Sequence, residues 1–158
     1  MFFIFPTYAL DKYKDIRNVE IQIPSGEKFL TKLAITDQEK TKGLSGTKKE
    51  QFATNHALLF FYKESSEKSF WMPDTFMNLD IIFLDKNFTI LKIEKNMHAH
   101  PGRKNLSQIP RTPPIFSRHV MEIRSDSPLA NKLNIGMKLK VISSYSLLQI
   151  ESKIPRPK

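Results

Sequence analysis

The stretch Leu79-Asp-Ile-Ile-Phe-Leu84 decides the fold, because it places apolar side chains on both faces of an extended chain. Such a run predicts an interior strand that is covered on both sides. Alternation puts Asp80 on the same face as Ile82 and Leu84, and a carboxylate between apolar walls must find a partner or give up its charge. Asp80 is therefore either a structural carboxylate, held by loop amides, Thr75 or an arginine, or an acid or base at the mouth of a strand.

The remaining strands are predicted on either side of this run. Asp85-Lys-Asn87 is turn chemistry and predicts a hairpin with residues 88–94. Pro24-Ser-Gly-Glu27 predicts a second hairpin, between the alternating residues 19–23 and 28–35. Further strands are predicted at residues 57–61, from residue 69 to 72, at 118–124 and at 138–143.

Two short helices complete the predicted fold. Thr36-Asp-Gln-Glu39 fits a capping box, and Gly43 suits the left-handed residue that ends a helix. Ser127 and Pro128 suit the cap and first residue of a second helix that ends near Gly136. These patterns predict a β-rich α+β fold, with a single curled or barrel-like, mostly antiparallel sheet and two short helices. We assign residues 18–145 to this single domain.

The two ends of the chain differ in composition and in their predicted roles. Residues 1–17 form an N-terminal segment in which Thr7 and Ala9 stand in the small-x-small relation of a cleaved export signal. The segment is either the remnant of such a signal, which predicts a periplasmic or extracellular address, or a native apolar end that packs on the domain. Residues 146–158 are proline-punctuated at their end and are predicted to be a frayed C-terminal tail.

Length and composition bound the class of protein. A chain of 158 residues is the size of one domain, and no run of about 18 apolar residues predicts a membrane-spanning helix. Cysteine is absent, which excludes disulfides, thiolate nucleophiles and cysteine-ligated zinc. The net charge of +9 favours anionic partners, but basic composition alone is weak evidence and plain solubility charge is the preferred explanation. Nucleic-acid binding stays a third alternative and is disfavoured, because no helix carries a basic stripe.

The order and spacing of several motifs resemble one family. The motifs are residues 39–46, Leu58-Leu-Phe-Phe61, Phe70-Trp-Met72 with Thr75, Leu79-Asp-Ile-Ile-Phe83, Val120-Met-Glu122 and Ile135-Gly136. Together they resemble the domain-of-unknown-function 192 family, a bacterial and archaeal family of small β-rich domains that are often made with export signals. The resemblance covers roughly residues 28–142. It implies a fold and an address outside the cytoplasm, and it implies no reaction, since no activity is established for the family.

The candidate ligand-binding residues are Trp71, Thr75, Asp80, Arg111 and Arg118. Phe70 and Trp71 are neighbours, so a strand would turn one ring inward and one outward, where it can form a wall for an aromatic ligand. The arginines belong to the basic segment 98–124 and can frame an anion pocket. The leading hypothesis is thus a binding domain for a small anionic or aromatic ligand or for an envelope component.

The alternative hypothesis is a hydrolase-like or lyase-like enzyme. Its candidate catalytic residues are Asp80, Glu122, His98 and His100. Glu122 shares its strand face with Arg118 and Arg124, which predicts either a surface ion pair or a carboxylate that orients an anion pocket. The spacing of His98 and His100 suits a metal only on a strand, and the Pro-Gly that follows favours a loop, so no metal site and no cofactor are predicted. His119 shares a face with Met121 and is expected to be a core histidine.

Overall fold

The computed structural model describes residues 15–156. The strands are β1 (Asn18–Gln22), β2 (Lys28–Ala34), β3 (His56–Phe60), β4 (Ser66–Lys68), β5 (Leu79–Leu84), β6 (Ile90–Met97), β7 (Ile115–Ser117), β8 (His119–Arg124) and β9 (Lys140–Ile142). The helices are α1 (Asp37–Lys42) and α2 (Leu147–Glu151), and single 3₁₀ turns lie at Lys49–Gln51, Leu106–Gln108 and Ala130–Lys132.

Seven strands form one sheet in the order β6-β5-β8-β3-β2-β1-β9, and β4 and β7 form a separate two-stranded ribbon. Every pair is antiparallel except β2 with β3, whose parallel pairing requires a crossover through α1. Among the described residues, the predicted β-rich α+β fold, with a curled, mostly antiparallel sheet and two short helices, is confirmed. Both predicted hairpins, β1 with β2 and β5 with β6, are also confirmed.

The backbone of residues 136–139 joins the two edges of the sheet at one end. The Gly136 amide donates to the Ile90 carbonyl, the Ile90 amide donates to the Met137 carbonyl, and the Leu139 amide donates to the Phe88 carbonyl. The chain then continues into β9, which pairs with β1. The sheet therefore curls into a half-barrel whose first and last strands meet through this segment.

The two faces of the sheet bury separate apolar clusters. We call the face inside the curl the inner face, where Ile82 and Leu84 of β5 pack with residues from both ends of the sheet. We call the opposite face the outer face, where Ile81 and Phe83 pack with Phe60 of β3. All six residues of β5 are buried, as its sequence predicts.

The capping box of α1 is formed as predicted. The Glu39 amide donates to the Thr36 hydroxyl, and the Glu39 carboxylate accepts from the amides of Ile35 and Thr36 and from the Arg17 side chain at 2.6 Å. Burial alone would raise the pKa of Glu39, but these donors lower it to about 2. Gly43 ends the helix with a positive φ of 49°.

Other local predictions differ from the structure. The strand predicted over residues 69–72 is instead β4 at Ser66–Lys68, followed by a single bridge between Trp71 and Arg111. The second predicted helix is only the 3₁₀ turn Ala130–Lys132. The second helix is α2, inside the segment that the sequence predicts as a frayed tail, and its Ile150 is fully buried in the inner cluster.

The hypothesis of an export signal falls on residues 1–17, of which 1–14 lie outside the described residues, and it stays a prediction. Within residues 15–156, none of the helices has the length and apolarity that crossing a bilayer requires.

The cap of α1 gives a test of the fold. We expect Thr36→Ala to lower the free energy of unfolding by about 1 kcal/mol, because an amide of the first turn loses its acceptor. Thr41→Ala, in the same helix and exposed, is the control and should not lower the stability, because alanine has the higher helix propensity. Urea denaturation measures both, and equal effects of the two variants would contradict the role of the cap.

Candidate functional site

Asp80 is a structural carboxylate at the end of the inner face. It is 2% exposed, and its Oδ1 accepts from the Asn96 amide at 2.8 Å and from the Ser125 hydroxyl at 2.9 Å. Its Oδ2 lies 3.1 Å from the Lys95 ammonium. Lys95 and Asn96 lie where the pairing of β5 with β6 shifts register, so one carboxylate holds both residues of a β-bulge. Asp80 therefore has partners, as the sequence requires. They are a backbone amide, a serine hydroxyl and a lysine, and neither Thr75 nor an arginine is among them.

The predicted histidines lie in a loop that Thr75 anchors. The Thr75 hydroxyl donates to the Met72 carbonyl at 2.9 Å and accepts from the His100 amide at 3.1 Å. The His100 ring contacts the Lys104 carbonyl at 2.9 Å, and His98 is exposed. No hydrogen bond joins either histidine to Asp80 within the described residues, so the structure does not assemble this part of the predicted catalytic set.

Trp71 and Arg111 form an exposed stack beside the ribbon of β4 and β7. The Arg111 guanidinium lies 4.9 Å from the centre of the Trp71 ring, and Trp71 is 39% exposed. Phe70 points the other way and packs at the edge of the outer cluster, as predicted for neighbouring aromatic residues. Trp71 therefore presents one face to solvent, with a cation on the other.

Arg118 and Arg124 do not pair with Glu122. Arg118 donates to the Tyr62 carbonyl and to the Glu151 carboxylate, both at 2.9 Å. Arg124 binds Asp126 and the carbonyl of Phe52. The predicted surface ion pair of Glu122 is therefore wrong, because loops on both sides offer these guanidinium groups other acceptors.

Glu122 is a buried acid without a partner. It is 4% exposed, lies between Leu58 and Ile81 on the outer face, and its Oε2 has no hydrogen bond among the described residues. Burial raises its pKa to about 8, so the carboxyl is protonated at neutral pH. Glu122 and Asp80 lie on opposite faces of the sheet, so they cannot act together on one bound substrate.

A cavity of about 650 Å³ opens on the outer face between α1 and the start of β3. Its floor comes from β2 and β3, with Leu30, Ala34 and Leu58, and the loop that follows α1 provides the wall with Leu44 and Phe52. The volume lies within the range of small-molecule sites, roughly 300–1,000 Å³. Polar residues also line it, namely Asn18, Thr31, Lys32, Glu39, Lys42, Thr47, Gln51 and His56.

Two lysines give this cavity its charge. Lys32 and Lys42 line it, both are exposed, and neither pairs with a carboxylate in the part of the chain that the structure describes. The acid in the lining, Glu39, is already bound by Arg17 and two amides. The cavity therefore combines an apolar floor with uncompensated positive charge at its rim.

The five predicted ligand-binding residues do not line this cavity. A smaller one, of about 390 Å³, is lined by three residues that surround Asp80, namely Asn78, Asn96 and Ser125, but not by Asp80 itself. The candidate site thus lies away from the position that the sequence predicts. The cavity depends on the parallel pairing of β2 with β3, which the sequence patterns did not predict: the crossover between these strands contains Leu44 and Phe52, which pack on the outer face.

The remaining candidates for chemistry are structural. His119 lies between the rings of Phe61 and Phe88, at 4.5 and 4.8 Å between centroids, and its Nδ1 accepts from the Tyr62 amide. Burial, with the nearby charges of Arg118 and lysines, lowers the pKa of His119 to about 3, which confirms a core histidine. Among residues 15–156 no three His, Asp or Glu side chains are grouped to hold a metal ion.

Fold and site define a β-rich single-domain protein with a ligand-sized cavity on the outside of a curled sheet. The model of the domain of unknown function 192 family, described as an uncharacterized ACR, matches residues 19–141. The chain therefore belongs to this family, as the motifs predict. No curated protein matches the chain.

Two solved structures share the fold. One is a candidate transcription regulator from Sinorhizobium meliloti, with 24% identity and a TM-score of 0.60, covering 78% of this chain and 92% of that one. The other is a protein of unknown function from Novosphingobium aromaticivorans, with 24% identity and a TM-score of 0.60, covering 78% of this chain and 83% of that one. At this identity the likeness shows the fold alone.

Removing the Asp80 carboxylate tests its structural role. We expect Asp80→Ala to lower the free energy of unfolding by about 2–4 kcal/mol, because a buried amide and hydroxyl lose their acceptor. Lys95→Ala is the comparison and should cost less than Asp80→Ala, since Asp80 then keeps its hydrogen bonds to the Asn96 amide and the Ser125 hydroxyl, and the position of the half-exposed lysine admits water. Equal losses measured by denaturant unfolding would assign the effect to the ion pair instead.

The protonation of Glu122 predicts a dependence of stability on pH. The folded state keeps its proton up to about pH 8 whereas the unfolded state loses it near 4.5, so rising pH favours unfolding between these values. We expect the stability of the native sequence, relative to Glu122→Gln, to fall by roughly 1.4 kcal/mol per pH unit in this window. Tyr62, on which Glu122 acts, has a pKa raised to about 12 and stays neutral in this window. Parallel stability profiles of the two proteins would contradict this protonation state.

Proposed function

We propose that this domain binds a small amphipathic molecule, with an apolar or aromatic body and an anionic group, in the cavity on the outer face. The observation that carries the proposal is the combination of a cavity of about 650 Å³, an apolar floor and two lysines at the rim that pair with no carboxylate among residues 15–156. The apolar body of the ligand would lie over Leu30 and Leu58, and its anionic group would reach Lys32 or Lys42.

The size and chemistry of the cavity support this ligand class. A drug-sized ligand is bound mainly by apolar contact, with a few polar groups that fix its orientation. The charge at the rim disfavours a cationic ligand and attracts an anionic one. Leu30, which is 38% exposed, offers an apolar surface that a ligand would cover.

Binding is tested with one aromatic probe in two charge states. Ligand-observed NMR at fixed ionic strength compares naphthoate with neutral naphthylmethanol. We expect naphthoate to bind about tenfold more tightly, which corresponds to roughly 1.4 kcal/mol of added electrostatic attraction. Lys32→Gln with Lys42→Gln should remove the difference, whereas Lys86→Gln, an exposed lysine in the β5–β6 turn, should keep it.

A matched pair of variants locates the probe. Leu30→Trp replaces a leucine in the lining with a larger side chain that fills part of the cavity. We expect this variant to bind naphthoate about tenfold more weakly or worse. Leu91→Trp, at a leucine of β6 that is 40% exposed, is the control and should bind as the native protein does. Equal affinity of both variants, or no saturable binding of either probe, would overturn the proposal.

A further inference from the structure

A second group of charged residues surrounds Tyr62, which follows β3, and none of them lines the cavity of the proposed function. The Lys40 ammonium, from α1, lies 4.2 Å from the centre of the Tyr62 ring. The Lys68 ammonium, from β4, lies 4.4 Å from the same centre. One aromatic ring thus holds two ammonium groups from two different elements.

Lys68 uses its hydrogen-bond donors within the protein, whereas the side chains of Lys40 and Tyr62 do not use theirs among the described residues. Lys68 is 7% exposed and donates to the Ser66 hydroxyl and the Ser117 carbonyl, both at 2.8 Å, and to the Ser66 carbonyl at 3.4 Å. Within residues 15–156, the ammonium of Lys40 and the hydroxyl of Tyr62 have no hydrogen-bond partner. These two donors are therefore free to bind a ligand.

The charge of the cluster is only partly compensated, since Asp37 and Glu39 attract Lys40 without forming an ion pair with it. No carboxylate pairs with Lys40 or Lys68 in the described part of the chain, and all the acceptors of Lys68 are neutral. Arg118 adds a third positive charge close by, and its partner Glu151 offsets only that charge. Glu122 does not offset the others, because its carboxyl is protonated at neutral pH.

The titration of Lys68 reflects this environment. Burial, followed by the charges of Lys40 and Arg118, lowers the pKa of Lys68 to about 8. Burial, with the charges of Glu122 and Asp37, raises the pKa of Tyr62 to about 12, so its hydroxyl stays a neutral donor. A bound anion would relieve the repulsion between the ammonium groups and accept from both free donors.

We propose that Lys40, Lys68 and the hydroxyl of Tyr62 form a binding site for a phosphate group, either the free ion or a phosphate monoester. Lys40 and Tyr62 donate hydrogen bonds to its oxygens, and Lys68, whose ammonium lies 4.4 Å from the centre of the same ring, supplies further positive charge. A doubly charged tetrahedral anion suits this arrangement, since lysine binds phosphate as a point charge and needs no planar pairing.

The test is a titration of isotope-labelled protein with inorganic phosphate and, in a second arm, with methyl phosphate. NMR follows the side-chain signals of Lys40 and Lys68 at neutral pH, and sodium chloride keeps the ionic strength constant. We expect saturable shifts of both signals in at least one arm. The arm with the tighter binding identifies the free ion or the monoester as the ligand class.

Two variants separate a site from general charge attraction. Lys40→Gln on the surface of α1 should weaken binding by about tenfold or more, and Tyr62→Phe should weaken it while keeping the ring. Lys140→Gln, an exposed lysine on β9, is the matched control and should bind phosphate unchanged. Shifts that rise linearly without saturation in both arms, or equal affinity in Lys40→Gln and Lys140→Gln, would overturn the proposal. Leu30→Trp should leave phosphate binding unchanged, because Leu30 lines the cavity of the proposed function and not the cluster at Tyr62. A failure of the phosphate proposal can therefore be distinguished from a failure of the proposed function.

Discussion

The need to cover both faces of β5 is the constraint on which the rest of the structure depends. All six of its residues are buried, so the sheet curls to close over the inner face, and other segments must lie across the outer face. Helix α1 contributes no residue to the outer cluster, which is covered by the loop that follows the helix, by residues before β5 and by Ile109. Loops cover a sheet less evenly than helices do, and the cavity lies where this cover is incomplete.

The two buried acids show two responses to the same electrostatic problem. Asp80 keeps three partners, and its negative charge fixes the bulge of β6 and the start of the loop beyond β8. Glu122 has no partner for its Oε2 within residues 15–156 and gives up its charge instead. Gly43 lies above it, where a Cβ atom would approach the Phe60 ring to 3.2 Å, so the end of α1 packs closely against the region of the acid.

Sequence patterns predicted the parts of the molecule that depend on local chemistry. The alternation of β5 assigned Asp80 to the inner face, and the Thr36 capping box located α1. The failure of Arg118 and Arg124 to pair with Glu122 was not predictable in this way, because parity shows which residues share a face but not where long arginine side chains find other acceptors. The cluster of lysines at Tyr62 was not predicted for the same reason, since its residues come from a helix, a loop and a ribbon that are distant in sequence. Helix α2 could have been predicted from the sequence, because Ser146 and Gln149 have the spacing of a capping box.

The segment that joins β6 to β9 has a consequence for how the protein behaves at high concentration. An open sheet edge is a template on which a second molecule can add a strand. Here both the amide and the carbonyl of Ile90 already bond to residues 136–137. The rest of β6 carries Lys92 and Glu94, and its bulge at Lys95 interrupts the regular ladder. The edge that would otherwise seed aggregation by intermolecular strand addition is thereby blocked at one end and made irregular at the other.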